Sequence, residues 1–169
     1  MENFLKAKHW QIFILLILGL FISNFKIEND PLLTQVLKII GMTTYFAYPL
    51  IIGHLLQDYL PRKVELRHTL FIINSFIWLT TYIVIMIISD GQGMTFTGLA
   101  AIPMFYTFYA FLNFLAFPAK TIKSIELKKN TGIGDYIGDF FLIVFLPIGI
   151  WFLQPRINKI VEAQKGETD

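Results

Sequence analysis

Cysteine is missing altogether from the 169 residues. That one absence removes disulfides, thiolate zinc sites, iron–sulfur clusters and cysteine nucleophiles together. Charge is scarce as well: Asp, Glu, Lys and Arg make up 15% of the chain, against about 25% in a soluble domain. No His-Glu-x-x-His, Walker loop, Gly-x-Ser-Gly nucleophile or acidic pair of an intramembrane metalloprotease occurs, so hydrolytic and nucleotide chemistry of those kinds has no residues to use. Nor is there room for a water-soluble domain. The longest polar connection, 118–135, has 18 residues, and an independently folding unit needs roughly 40. No internal repeat or low-complexity tract is present, which gives no support to a solenoid or an inverted-repeat transporter.

The chain is instead rich in apolar surface: 55% hydrophobic residues, 17 phenylalanines and a mean hydropathy of +0.60. A water-soluble enzyme could not hide so much of it. Five apolar runs, 10–25, 32–57, 70–89, 96–117 and 136–153, reach roughly 24, 39, 30, 33 and 27 Å as helices. The hydrocarbon core of a bilayer is about 30 Å thick. The expected fold is therefore all-α: a polytopic helical membrane protein, one domain over 1–169, with four transmembrane helices and a fifth C-terminal hydrophobic segment that is either re-entrant or interfacial, or else a fifth span. Lys6 and Lys8 before an apolar stretch imitate a signal peptide, but a cut after Ser23 would place Phe21 at −3, so a retained helix is expected.

Boundary signals agree. Asp30-Pro31 opens the second helix and Leu60-Pro61 closes it, while Ser89-Asp90-Gly91-Gln92-Gly93 is a tight turn that makes the third and fourth spans a hairpin. Pro49 should kink the second helix. Residues 119–129 read as an amphipathic helix at the membrane surface, with Ala119, Ile122 and Ile125 on one face and Lys120, Lys123, Lys128 and Lys129 meeting anionic lipid headgroups. The charges carry no nucleic-acid signature.

Lys and Arg number two before the first span, then one, three, none and four in the successive loops. This alternation predicts a cytoplasmic N-terminus. A fifth segment that returns leaves twelve cations inside and one outside, with Lys38 set aside; one that spans leaves nine and four. A returning segment and a cytoplasmic C-terminus are expected.

Polar residues inside the runs are the candidate site. Gln35, Lys38 and Tyr45 share a stripe of the second helix, Asn74 and Thr81 share one with Trp78 in the third, and Tyr106, Tyr109 and Asn113 share one in the fourth. A lysine at that depth either lines a polar pathway or snorkels to the headgroups. The other two stripes either line a cavity or form interhelical hydrogen bonds, and packing is the expectation. His54 and Asp58 are four apart, a pair able to relay a proton or hold a metal. Membrane acyltransferases keep four residues between such a His and Asp, whereas three lie between them here, and an ion pair at the membrane surface is expected. Asp135 and Asp139 suit the start of a helix by charge. No metal and no cofactor is implied.

Residues 145–158, Phe-Leu-Pro-Ile-Gly-Ile-Trp-Phe-Leu-Gln-Pro-Arg-Ile-Asn, give the chain a resemblance to a group of small multi-spanning bacterial inner-membrane proteins with an F-x-P-I-G-I-W-x-x-Q-P-R-I-N-like ending. Gly53-His54-Leu55-Leu56 with Leu60-Pro61, Lys120-Thr121 with Ile125-Glu126-Leu127, and 135–141 look similar too. The resemblance covers roughly half the chain. It implies a helical inner-membrane fold and carries no activity and no functional residue.

The function expected from these features is that of an integral inner-membrane protein without catalytic activity, acting through self-association, a pore among its forms, or as a subunit of a membrane partner. Two alternatives remain open at this point. One is a small enzyme acting on lipid or a lipid-linked substrate at the cytoplasmic surface through His54, Asp58, Asp135 and Asp139; the other is a channel or transporter using Lys38 and Tyr45.

Overall fold

The computed structural model describes residues 2–91 and 93–166, and all regular structure among the described residues is helical. Helix α1 is Glu2–Leu5, α2 His9–Asn24, α3 Pro31–Leu55, α4 His68–Ile88, α5 Ala101–Leu127, α6 Ile133–Val144 and α7 Leu146–Gly166; short 3-10 turns, Leu56–Tyr59 and Gly98–Ala100, follow α3 and precede α5. Three helical stretches, Pro31–Tyr59, His68–Ile88 and Gly98–Leu127, are long and apolar enough to cross a membrane. Length and composition suit these three to a bilayer. Helix α2 is apolar but shorter, at 16 residues.

Local chemistry accounts for the boundaries. Asp30 caps α3 by accepting the Leu33 amide at 2.9 Å, and Pro31 occupies the first helical position, where its missing N–H costs nothing. Helices α2 and α3 pack backbone to backbone: a Cβ on Gly19 would lie 2.9 Å from the Gly41 carbonyl oxygen. Such close approach lets dispersion act where lipid removes the hydrophobic drive between helices.

One expectation is corrected, and a second segment divides in two. Residues 119–129 are not a separate surface helix, because α5 runs unbroken through Pro118 to Leu127. Pro118 forfeits one backbone bond, but Phe117, Ala119, Thr121, Ile122 and Ser124 on both sides of it are buried, and that packing holds the helix together through the proline. The fifth hydrophobic segment is likewise not one helix. It breaks at Phe145 into α6 and α7, a step ahead of Pro147 and Gly149. A continuous helix would drive the Pro147 ring into the Ile143 carbonyl; restarting at Leu146 puts Pro147 in a first turn, where proline is tolerated. The Phe145 carbonyl accepts from Ile148 and Gly149 at 3.0 and 2.8 Å and so begins α7. The two helices fold back on each other, Asp139 meeting Arg156 and Leu142 meeting Gly149. Any Cβ at Gly149 would collide with the Leu142 carbonyl.

The core lies toward the proximal end of the bundle, where α2 and α4 begin and α3 and α5 finish. Helix α7 delivers Leu146, Ile150, Leu153, Ile157 and Val161 to it, every one buried, at the three- and four-residue intervals of a single helical face. In α4 the buried residues are Phe71, Asn74, Ser75 and Trp78, all in its first half. In α5 they run from Ala110 to Ser124, and none comes from its first turns. The opposite, distal end, around the α4–α5 turn, is thinly covered.

Candidate functional site

The polar residues form three separate levels. At the distal level, Gln35 Nε2 donates to the Met86 carbonyl and Lys38 Nζ donates to the Gly91 carbonyl at 2.9 Å. Both acceptors belong to the end of α4 and the turn after it, where the helix dipole is negative; the Met86 carbonyl also accepts the Gly91 amide at 2.9 Å. Half-buried Lys38 thus closes the end of a neighbouring helix. Tyr45, the third member of that stripe, is buried farther along and sets its ring edge-on to Phe46 at 5.2 Å.

At the middle level the stripes of α4 and α5 meet. The Tyr106 hydroxyl donates to Asn74 Oδ1 at 3.1 Å, and Asn74 Nδ2 donates to Asn113 Oδ1 at 3.0 Å. Asn74 is fully buried, so these are interhelical bonds. Thr81 turns back to its own helix and donates to the Ile77 carbonyl at 2.8 Å. Tyr109 is half exposed, its ring 5.9 Å from that of Tyr106. Trp78 Nε1 is buried with no hydrogen-bond partner among the described residues.

The proximal level is the richest. His54 Nδ1 and His68 Nε2 are 3.0 Å apart, and the rings stack at 5.1 Å across α3 and α4. His54 and Asp58 form no ion pair, which corrects the expectation: α3 ends at Leu55 and Asp58 sits in the 3-10 turn, so the four-residue spacing no longer puts both on one face. Asp135 accepts the Gly132 amide at 2.9 Å at the start of α6 and lies 3.6 Å from Lys129. Its partner in sequence, Asp139, takes a different role.

Asp139 faces Arg156 of α7. The guanidinium Nη1 and Nη2 donate to Asp139 Oδ1 and Oδ2 at 2.5 and 2.8 Å, while Nε and Nη2 donate to Glu126 Oε1 and Oε2 of α5 at 2.6 and 2.7 Å. One planar fork thereby grips two carboxylates and ties three helices together. Hydrogen bonding to Asp139, with Glu126 adding to it, pushes the guanidinium above its already high ordinary value. Lys123 lies 3.5 Å from Glu126, so the group carries as many cations as anions.

Just before Arg156 in the chain, fully buried Gln154 joins the two ends of the protein. Its Nε2 lies 2.9 and 3.0 Å from the carbonyls of Leu5 and Ala7, and its Oε1 accepts the hydroxyl of buried Tyr48 at 3.0 Å. Asn158 adds contacts to Gln154 and to Ala7. None of Tyr48, His68, Glu126, Gln154, Arg156 and Asn158 stands out from the polar stripes of the four long runs. A signal existed: Gln154, Arg156 and Asn158 are the polar members of the 145–158 motif, alternating at every second position.

The structure therefore brings together Asn74, Tyr106 and Asn113, and Asp139 with a residue of α7. It does not gather His54, Asp58, Asp135 and Asp139 into one mutually bonded group. No cluster of three or more metal-ligating side chains occurs among the described residues. No protein-family model, no curated protein and no solved structure matches the chain.

Proposed function

We propose that this is a multi-spanning inner-membrane protein that performs no catalysis and acts by associating with a second copy of itself or with a membrane partner. The observation that carries this reading is the exposed face of the first half of α5. Ile102, Phe105, Phe108 and Tyr109, with Leu99 in the turn before them, are all at least half exposed, while Gln35 and Lys38 of α3 and Asn74 of α4 find partners within the chain. A phenol such as Tyr109 within an apolar span gains most from a neighbour that offers a hydrogen bond. The resemblance of 145–158 to small inner-membrane proteins supports the location in this reading.

In this proposal α2 is a fourth span, helped by Lys6, Lys8 and His9 at its start. The proximal end is cytoplasmic, and Lys120, Lys123, Lys128 and Lys129 meet anionic headgroups there. The α6–α7 hairpin dips into the bilayer and returns. Helix α6 has 12 residues, about 18 Å, too short to cross. Trp151 packs beside His9 and Phe13 at the beginning of α2, with ring centroids 4.6 and 5.6 Å away, and Leu146 is only about 8 Å of helix beyond it. Exposed Phe141, Val144, Phe145, Ile148 and Phe152 cover the tip, as suits an element buried about 5–10 Å into the interface.

Mass measurement of the detergent-solubilised protein, corrected for bound detergent, tests association. An oligomer that Tyr109→Ala with Phe105→Ala dissociates is the expected result, and a strictly monomeric particle without partners overturns the proposal. Topology has its own test in a chain without native cysteine: Glu167→Cys, at a position outside the described residues, should resist a membrane-impermeant thiol reagent in intact cells.

A further inference from the structure

Beside the contact between Gly53 of α3 and Phe71 of α4, these two helices leave a groove. Its proximal part encloses about 450 Å³ between Phe4, Leu50, Ile51, His54, Ile72 and Phe76, within the size range of small-molecule sites. It continues, past Leu50 and Phe76, to a smaller hollow of about 80 Å³ bounded by Thr43, Ala47 and Trp78. From Thr43 to Leu55 the groove follows twelve residues of helix, about 18 Å. One leaflet of the hydrocarbon core is about 15 Å deep. The groove is thus as long as a single lipid chain in its own leaflet, and His54 at its mouth is the one titratable side chain among the described residues that line the wide part.

The mouth has the opposite character. In the neutral His54–His68 pair one ring donates to the other across 3.0 Å, and each neutral imidazole has a single N–H. Whichever ring donates inward, the other therefore keeps its N–H for an outside acceptor. Protonation adds a second. The loop joining the two histidine-bearing helices carries Arg62, Lys63 and Arg67 against the carboxylates of Asp58 and Glu65, an excess of positive charge.

We infer that the α3–α4 groove is a binding site for one chain of an anionic phospholipid, with its phosphate held at the His54–His68 pair. Apolar walls a leaflet long take the acyl chain, and a donor-bearing, cationic mouth takes the headgroup. The inference rests on the membrane reading above and is independent of self-association.

The test uses the full-length protein in vesicles of phosphatidylcholine containing a trace of phosphatidylglycerol with a photoactivatable diazirine in its acyl chain, and mass spectrometry to map the adducts. Adducts should concentrate on 43–55 and 71–79 over 99–109 by about tenfold, the factor expected from one good charge-assisted hydrogen bond. A phosphatidylcholine probe, whose phosphate charge is balanced by its own choline, should show that preference more weakly. His54→Ala with His68→Ala should lose the headgroup discrimination while still labelling the groove, and Ile51→Trp, which fills it, should lose both. Adducts spread evenly over the three helices overturn the inference while leaving the membrane reading intact; no adduct anywhere overturns both. Discrimination that survives in the double histidine variant places the phosphate elsewhere and also overturns it.

Discussion

The two ends of the bundle are made from the same helices and held together in different ways. At the proximal end α1, α5, α6 and α7 close around Gln154 and Arg156, whose partners lie on four other segments. At the distal end the tertiary polar contacts among the described residues are the two bonds from Gln35 and Lys38 to the end of α4 and the turn after it, and the first turns of α5 are exposed. Fixed geometry is therefore concentrated where the charges meet, because a half-buried guanidinium shared by two carboxylates tolerates few arrangements. The thinly covered end is left to be completed by lipid or by another protein.

That contrast is easiest to break at Arg156. Arg156→Met leaves Asp139, whose side chain is 9% exposed, without its cation, and loss of one partner of a buried pair costs about 3–5 kcal/mol. Thermal unfolding in detergent should show the largest loss of the series, partly recovered by adding Asp139→Asn. Gly149→Ala should follow at about 1–3 kcal/mol, since the new methyl group must push α7 away from Leu142; limited proteolysis should cut the hairpin before the rest of the bundle. Asn74→Leu removes both interhelical bonds of the middle level, each worth about 0.6–2 kcal/mol, and the same melting assay should register it. Gln35→Leu is the smallest, under about 2 kcal/mol for one bond, and should still exceed Leu37→Ala on another face. A distal substitution as damaging as Arg156→Met would end the distinction between the two halves.

Much of this architecture was legible as pattern. The apolar runs mark α2 through α5 to within a few residues except at the end of α5, Asp30-Pro31 marks the start of α3, and the shared stripe of Tyr106 and Asn113 anticipates their meeting with Asn74. The failures have physical causes. Pro118 reads as a helix end because sequence registers the lost hydrogen bond and not the burial that offsets it. His54 and Asp58 read as a pair because their spacing assumes that the helix continues. Gln154 and Arg156 escape notice because they lie just past an apolar run, where polar residues are ordinarily solvated. Their importance comes from α1, α5 and α6, segments of three other helices that meet them only once the chain has folded back.

Gln154 also bears on the order in which the chain is assembled. Its bond to the Leu5 carbonyl spans 149 residues, so a segment that leaves the ribosome early waits for one made 149 residues later. Until residue 154 arrives, the carbonyls of Leu5 and Ala7 and the hydroxyl of Tyr48 lack the partner that buries them, and Glu126 and Asp139 wait for Arg156 in the same way. Contacts of such long range are formed late, after the cost of closing the loop has been met. The C-terminal helix thus acts as a completion signal: a chain cut short before it retains its apolar spans and the polar bonds among them, yet keeps its proximal end open to water and to proteases.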